Sequence, residues 1–385
     1  MVGRENPYPR YARLREISPI VRADDGALVV TGYDECTTVV RDGRFVHPPA
    51  EMLAFLGFAD WEDHPALRQM FTTMLLLNPP DHTRLRRLVS SAFTPRRVQT
   101  LRPVIETLVD DLLDAMSGDV DFVESFAFPL PVEVIGELLG VPEADRAQFR
   151  TLVRDWTQVL EVITPAVLAR ADPAAAMIRD YLAELLDERR RFPADDLLSA
   201  LAQAQTTDER LTDDEILANA ALLFAAGFET TTGLLANGLV ALLDHPEQAA
   251  ALAAQPELAP SGVEELLRFD SPVHLSSRVT AEPVELAGLT VGAGERVVAY
   301  LGAGNHDPAR FADPDQLRLD RADNAPLSFG GGIHYCLGAP LARLEAQIAF
   351  PALLRRFPEL SRSGRAEHRD SLSIKGFLSL PVRTG

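Results

Sequence analysis

The chain has 385 residues, a mass of 42.1 kDa and 56 acidic against 37 basic residues, a formal charge of −19 that argues against a nucleic-acid binder with its usual basic excess. Apolar residues make up 46% and mean hydropathy is near zero, so a large core is available and disorder is excluded as the dominant state. No apolar run approaches the ~20 residues needed to span a bilayer, and Met1 to Arg10 carries no hydrophobic signal segment, so a cytoplasmic protein without membrane attachment is expected.

Along the chain, Ile20 to Val30 shows strand-like alternation. Thr94-Pro95 supplies an N-cap followed by proline at the first helical position, and a helical pattern runs from there to about Met116. Further helical stretches cover Val132–Leu139, Glu143–Glu161 and Ala174–Arg190. Thr212-Asp213-Asp214-Glu215 fits a capping box, and the apolar pattern that follows reaches Leu243 before His245-Pro246 stops it. That predicts a helix of roughly 31 residues, about 47 Å long. Strand-like alternation returns at Val284–Tyr300 and at Leu372–Val382. The reading is a mainly α fold with small β-sheets. Pairing of early with late strands would close residues 1–385 into one domain, against a length prior of two or three.

Two segments carry chemistry. The middle of the long helix reads Ala225-Ala226-Gly227-Phe228-Glu229-Thr230-Thr231-Thr232; its glycine, carboxylate and three threonines suit the centre of a buried helix poorly, so the segment is either a tolerated kink or a site. Phe329-Gly330-Gly331-Gly332-Ile333-His334-Tyr335-Cys336-Leu337-Gly338 leads into a helix from Ala339 to about Phe357. Three glycines permit a tight turn and close backbone approach to something flat. Cys336 lies just before a helix N-terminus, where unpaired N–H groups favour the thiolate, and Gly338 keeps bulk from its sulfur. With no partner Cys or His at zinc spacing, haem iron suits such a thiolate better than zinc. Cys36, the only other cysteine, reads as a buried inert thiol, so no disulfide framework exists.

At these residues the chain resembles the soluble bacterial members of the cytochrome P-450 superfamily. The cysteine signature is matched at Phe329, Gly330, Gly332, His334, Cys336 and Gly338. The mid-helix element is matched at Ala226, Gly227, Glu229, Thr230 and Thr231, and the Glu-x-x-Arg element at Glu265 and Arg268. A meander-like stretch runs from Asn305 to Arg321, and the four elements follow the family order over essentially the whole chain. One departure is Pro326, where many relatives carry a histidine.

The resemblance implies haem b between the long helix and the cysteine loop, with Cys336 as axial thiolate and O₂ as co-substrate. It implies propionate partners at His82, Arg86, Arg278 and His334, with Phe329, Gly330 and Gly338 shaping the cofactor site. Gly227 would leave room for O₂, and Glu229 with Thr230 would form an acid–alcohol pair that relays protons. Glu265, Arg268 and Arg321 would form a buried ion network. A mainly apolar substrate would be met by Phe55, Phe58, Trp61, Leu223, Val273 and Phe377, with His274 either a polar contact to it or a hydrogen-bonded structural histidine. Residues 81–102 hold six arginines and one acid. Arg87, Arg96, Arg97 and Arg343 are therefore expected to steer an acidic ferredoxin, itself fed by NAD(P)H through a ferredoxin reductase. The implied activity is hydroxylation or epoxidation of a small secondary metabolite such as a polyketide, by a monomer. Oxidative ring closure or coupling without oxygen insertion is the alternative within the scaffold, and a haem-binding sensor or carrier-protein recruiter the alternative outside it.

Overall fold

The Thr212–Glu215 capping box forms in a computed structural model of the chain, which describes residues 6–204, 210–371 and 373–385. Thr212 N donates to Glu215 Oε2 at 2.9 Å, and Glu215 N donates to Thr212 Oγ1 at 3.2 Å. Two N–H groups that no helical carbonyl can reach are thereby satisfied. The helix runs over Asp213–Asp244, 32 residues, and Pro246 opens the next helix, Pro246–Ala254. It stays α-helical through the Gly-x-Glu-Thr segment.

Contacts divide the chain into two compact units. The first comprises Met1–Val46, Pro103–Pro131 and Glu229–Gly385, and it holds every named strand among the described residues. Its five-stranded sheet has the order Ile20–Arg22, Leu28–Val30, Arg296–Tyr300, Leu275–Thr280, Phe45–Val46. Leu28–Val30 runs parallel to Arg296–Tyr300 with Leu28 opposite Val297, so early and late strands do pair. Val30, Val39, Val297 and Ala299 are fully buried around Cys36. Burying each such branched side chain contributes roughly 1.5–3 kcal/mol. The Cys36 thiol donates to Val30 O at 3.4 Å, and burial pushes its pKa far above the usual thiol value, as an inert core thiol requires.

Smaller sheets join Asp119–Asp121 to Pro381–Arg383 and Ser361–Arg362, and Glu367–His368 to Phe377–Ser379. Leu372, the predicted start of the last strand run, lies outside the described residues, as do Met1–Glu5. In the same unit the long helix approaches the helix Ala339–Arg356 at Gly238. A Cβ there would sit 2.5 Å from Phe350 Cζ, so only glycine permits this packing.

The second unit comprises His47–Arg102 and Val132–Phe228 and is helical. Trp156 is fully buried and donates through Nε1 to Ala66 O at 3.2 Å. Predicted helices exist here with altered bounds. The helix expected from Thr94 is two, Pro95–Thr100 in this unit and Arg102–Ala115, separated at Leu101. Pro103 has no N–H to continue the first and suits the first turn of the second. Glu143–Glu161 likewise divides into Glu143–Arg146, Phe149–Thr157 and a 3₁₀ turn, Gln158–Leu160. The stretch expected from Ala174 begins at Pro165 and continues through Pro173 to Arg191. Among the described residues, no helix is long and apolar enough to cross a membrane.

Candidate active site

The cysteine loop is built by a 3₁₀ turn, Leu327–Phe329, followed by Gly330 at φ +67°, a backbone state that favours glycine. Cys336 N donates to Phe329 O at 3.0 Å, closing the loop, and the helix Ala339–Arg356 starts three residues later. Cys336 is half-buried, and a Cβ at Gly338 would lie 3.9 Å from its sulfur. Two of the three glycines serve packing rather than a flat partner. A Cβ at Gly331 would lie 2.8 Å from Val40 Cγ2, and one at Gly332 would lie 2.7 Å from Val40 O. Gly330 alone has open space where a Cβ would stand.

The loop is braced from behind. On the helix Ala259–Phe269, Arg268 donates through Nε and Nη2 to Glu265 at 2.8 Å each, and Arg321 Nε reaches Glu265 Oε2 at 3.0 Å. Arg268 Nη1 donates to Asn305 O at 3.0 Å. Asn305 Oδ1 in turn accepts from Leu327 N at 2.7 Å, and its Nδ2 donates to Ser328 Oγ at 3.0 Å. The predicted ion network therefore reaches the turn that precedes Phe329.

Arg278 tests whether the residues suit a haem. Its guanidinium is buried, and Nη1 donates to Ser276 Oγ at 2.9 Å and Ser277 O at 2.8 Å. No carboxylate among the described residues is ion-paired with it, and burial pulls its pKa down to about 10. A buried cation lacking a counter-charge is costly unless a ligand supplies one. A propionate is the anion that would, so the donor set fits the group. His334 is half-buried on the turn Gly332–His334 of the same loop. In the other unit, His82 and Arg86 lie one turn apart on the helix Asp81–Ala92, His82 buried. Burial, then the Arg86 charge, pushes the His82 imidazole pKa down.

In the long helix, Glu229 is buried and Thr230 half-buried, while Ala226, one turn before Thr230, is exposed. The alcohol thus lies on a face that is open in mid-helix. Gly227 requires a correction. A Cβ there would sit 2.7 Å from Ile135 Cγ1, so its missing side chain admits Ile135 of the helix Pro129–Leu139 rather than O₂.

His274 takes the structural one of its two expected roles. It is fully buried, its Nδ1 lies 3.1 Å from the Tyr11 hydroxyl, and its ring packs on Gly302, so it is a structural histidine and not a substrate contact. Burial pushes its pKa from 6.5 to about 3, with Asp270 opposing and Lys375 adding to the shift. The unfolded chain therefore binds a proton below pH 6.5 that the fold refuses until about pH 3. Stability from this site is complete above pH 6.5 and is lost as pH falls, by at most about 1.4 kcal/mol per pH unit. His274→Gln is expected to flatten this acid limb in urea unfolding between pH 6.5 and 4; an unchanged limb would overturn the assignment.

Of the other pocket residues, Phe55 is 89% exposed beside Leu56 on a short 3₁₀ helix, Ala50–Leu56, and stands in solvent. Phe58 and Trp61 are half-buried, and Leu223 is buried. Val273 bridges Ile374, and Phe377 rests against the His368 ring at 4.6 Å. Among the predicted docking arginines, Arg97 and Arg343 make these contacts within the chain. Arg97 pairs with Asp195 at 3.0 Å. Arg343 pairs with Glu264, donates to the Tyr335 hydroxyl at 3.1 Å and lies 4.5 Å over the Phe329 ring. Arg87 and Arg96 are exposed.

Sequence reading missed two groups. Arg369 pairs with Glu229 across 140 positions, a separation no local pattern reveals. Glu345 is fully buried on the helix after Cys336, its Oε2 has no hydrogen-bond partner, and burial holds its pKa well above the carboxylate range. An acid among the apolar positions Leu341, Leu344 and Ala346 was the available signal.

Residues 144–383 match the family model described as Cytochrome P450. The chain is 43% identical to "Cytochrome P450 monooxygenase PikC" of Streptomyces venezuelae, covering 98% of this chain and 91% of that one. It is 38% identical to "Polyketide biosynthesis cytochrome P450 PksS" of Bacillus subtilis (strain 168), covering 98% and 95%. Among solved structures, that of P450BioI in complex with hexadec-9Z-enoic acid ligated acyl carrier protein superposes with a TM-score of 0.92 at 36% identity, covering 99% of both chains. With matching motifs, a matching mainly helical fold and whole-length relatives, the chain belongs to the cytochrome P450 family and is a monooxygenase of it.

Proposed function

We propose that the chain binds haem b through the Cys336 thiolate and hydroxylates or epoxidises a mainly apolar small molecule, of the kind made by polyketide or other secondary-metabolite synthesis. The observation that carries this reading is the half-buried Cys336 at a helix N-terminus, in the same unit as the buried, carboxylate-free Arg278. When bound, haem supplies O₂ activation, placing one oxygen atom in the substrate and releasing the other as water at the expense of two electrons.

The chain's own residues hold and protect that chemistry. Within the first unit, Arg278 would supply the charge that a propionate needs, His334 would offer a ring nitrogen beside the loop, and Gly338 would keep the thiolate face clear. Leu337 and Gly338 offer backbone N–H groups that temper the thiolate charge. Thr230 holds a water by its hydroxyl, and Glu229 returns protons to it from solvent. In the first unit, Val273 and Phe377 would supply apolar contact to the substrate, and the buried His274 would not reach it. NAD(P)H electrons arrive through a reductase and an acidic ferredoxin, with Arg87 and Arg96 the arginines best placed by exposure to meet it. On this reading the protein works as one cytoplasmic, monomeric domain. A carrier-tethered substrate is a second reading, favoured by the similarity to P450BioI, whose structure contains an acylated carrier protein.

Thr230→Ala is expected to lower product formed per NAD(P)H consumed by roughly tenfold or more while NAD(P)H oxidation continues. Unchanged coupling would remove the relay role. In the same assay, ¹⁸O₂ is expected to label the product; an unlabelled oxidised product would move the assignment to ring closure or coupling.

A further inference from the structure

Lys375 is the one lysine in a chain whose other cations are all arginine, and it is buried. It stands at the tip of the C-terminal hairpin, in which Glu367–His368 pairs with Phe377–Ser379. Its Nζ donates to both carboxylate oxygens of Asp270, at 2.6 and 2.8 Å, just past the end of the helix Ala259–Phe269. Tyr8, the first residue of the helix Tyr8–Ile17, closes the cluster. Its hydroxyl donates to Asp270 Oδ1 at 2.6 Å, its ring centroid lies 5.2 Å from Lys375 Nζ, and it stacks on His306 at 3.9 Å.

The cluster fixes two segments at once. Lys375 N donates to Pro272 O and His274 N to Ser373 O, each at 2.8 Å, and Val273 bridges Ile374 between them. A Cβ at Gly233 would lie 3.0 Å from Pro272 Cβ and 3.1 Å from Lys375 O, so glycine lets both segments rest on the long helix. Val273 follows Asp270 by three residues and Phe377 follows Lys375 by two. A shift of the ion pair therefore moves these two apolar side chains relative to each other. A compact ammonium meets both carboxylate oxygens against the Tyr8 ring, where a guanidinium would bring a wider planar fork.

We propose that Tyr8, Asp270 and Lys375 form a clasp that sets the spacing of Val273 and Phe377, which makes Lys375 a specificity-determining positioning residue for apolar ligands. This rests on the reading of Val273 and Phe377 as substrate contacts. The clasp itself does not touch the substrate; it acts through those two side chains. By reciprocity, a ligand held between them stabilises the closed clasp.

The holoenzyme tests this with two probes, imidazole and N-dodecylimidazole, titrated by the shift each causes in the haem spectrum; only the second carries an apolar tail. Lys375→Met is expected to weaken N-dodecylimidazole binding by roughly tenfold, and the milder Tyr8→Phe by about threefold, while imidazole stays within about twofold. Lys375→Arg is expected to keep thermal stability near wild type, because the ion pair survives, and still to weaken N-dodecylimidazole. A purely structural role would not produce that split. With a single lysine, acetylation of its Nζ, read by peptide mass, reports opening of the clasp directly. N-dodecylimidazole is expected to slow that acetylation severalfold and imidazole to leave it unchanged. Unchanged N-dodecylimidazole affinity in Lys375→Met and Tyr8→Phe, equal losses for imidazole, or losses that merely follow thermal stability across the three variants would overturn the proposal. Acetylation indifferent to N-dodecylimidazole would also overturn it. Wild-type N-dodecylimidazole affinity in both Val273→Ala and Phe377→Ala would instead overturn the reading of the pocket itself.

Discussion

Arg268→Ala is expected to cost about 3–5 kcal/mol of folding stability, the loss that follows when one partner of a buried ion pair is removed. Arg268 and Glu265 are both 0% exposed, so neither charge can fall back on water. Arg268 also donates to Asn305 O at 3.0 Å, Pro314 O at 2.7 Å and Gln316 O at 3.2 Å, three carbonyls that would lose a charged donor together. Glu265 would retain Arg321, Asn324 Nδ2 and the Arg318 N–H, each at 3.0 Å, but not its bidentate partner. Against a typical total of about 5–15 kcal/mol, such a loss leaves little or no folded protein. Lysine would not substitute, because one ammonium cannot serve the carboxylate fork and three carbonyls at once. Urea unfolding, or failure of the variant to accumulate in soluble form, checks this. A change under about 1 kcal/mol would show that the network is not a support of the fold.

Cys336→Ala is expected to abolish oxygen insertion while leaving helix content intact. The side chain is half-buried and contributes little packing, so the fold does not depend on it as it depends on Arg268. Its backbone bond to Phe329 O survives the substitution, and the loop keeps its shape. What would disappear, on the proposed ligation, is the thiolate that donates to a bound haem. Far-UV circular dichroism together with product analysis checks this; turnover retained at the wild-type rate would place the iron ligand elsewhere.

Much of this was legible in the chain because the informative signals were local. The Thr212–Glu215 box spans one turn, the Glu265–Arg268 pair spans another, and the cysteine loop is a contiguous run. Each depends on spacing that a helix or turn converts directly into contact. The misreadings concern partners distant in sequence. His274 reads as well for a pocket residue as for a structural one until Tyr11, 263 positions earlier, is found against it. Gly227 reads as room for a ligand until Ile135 from another helix fills the space. Arg369 carries no mark at all until the C-terminal hairpin brings it to Glu229. The split at Leu101 was signalled by Pro103, but the apolar periodicity on both sides masked it.

The measurement that bears most directly on the account is the CO-difference spectrum of the reduced, haem-loaded protein. Thiolate ligation by Cys336 predicts the red-shifted Soret band from which the family takes the number in its name, absent in Cys336→Ala. A folded, haem-loaded wild-type protein whose band lies at the shorter wavelength of a neutral ligand, or whose spectrum is the same with and without Cys336, would contradict it.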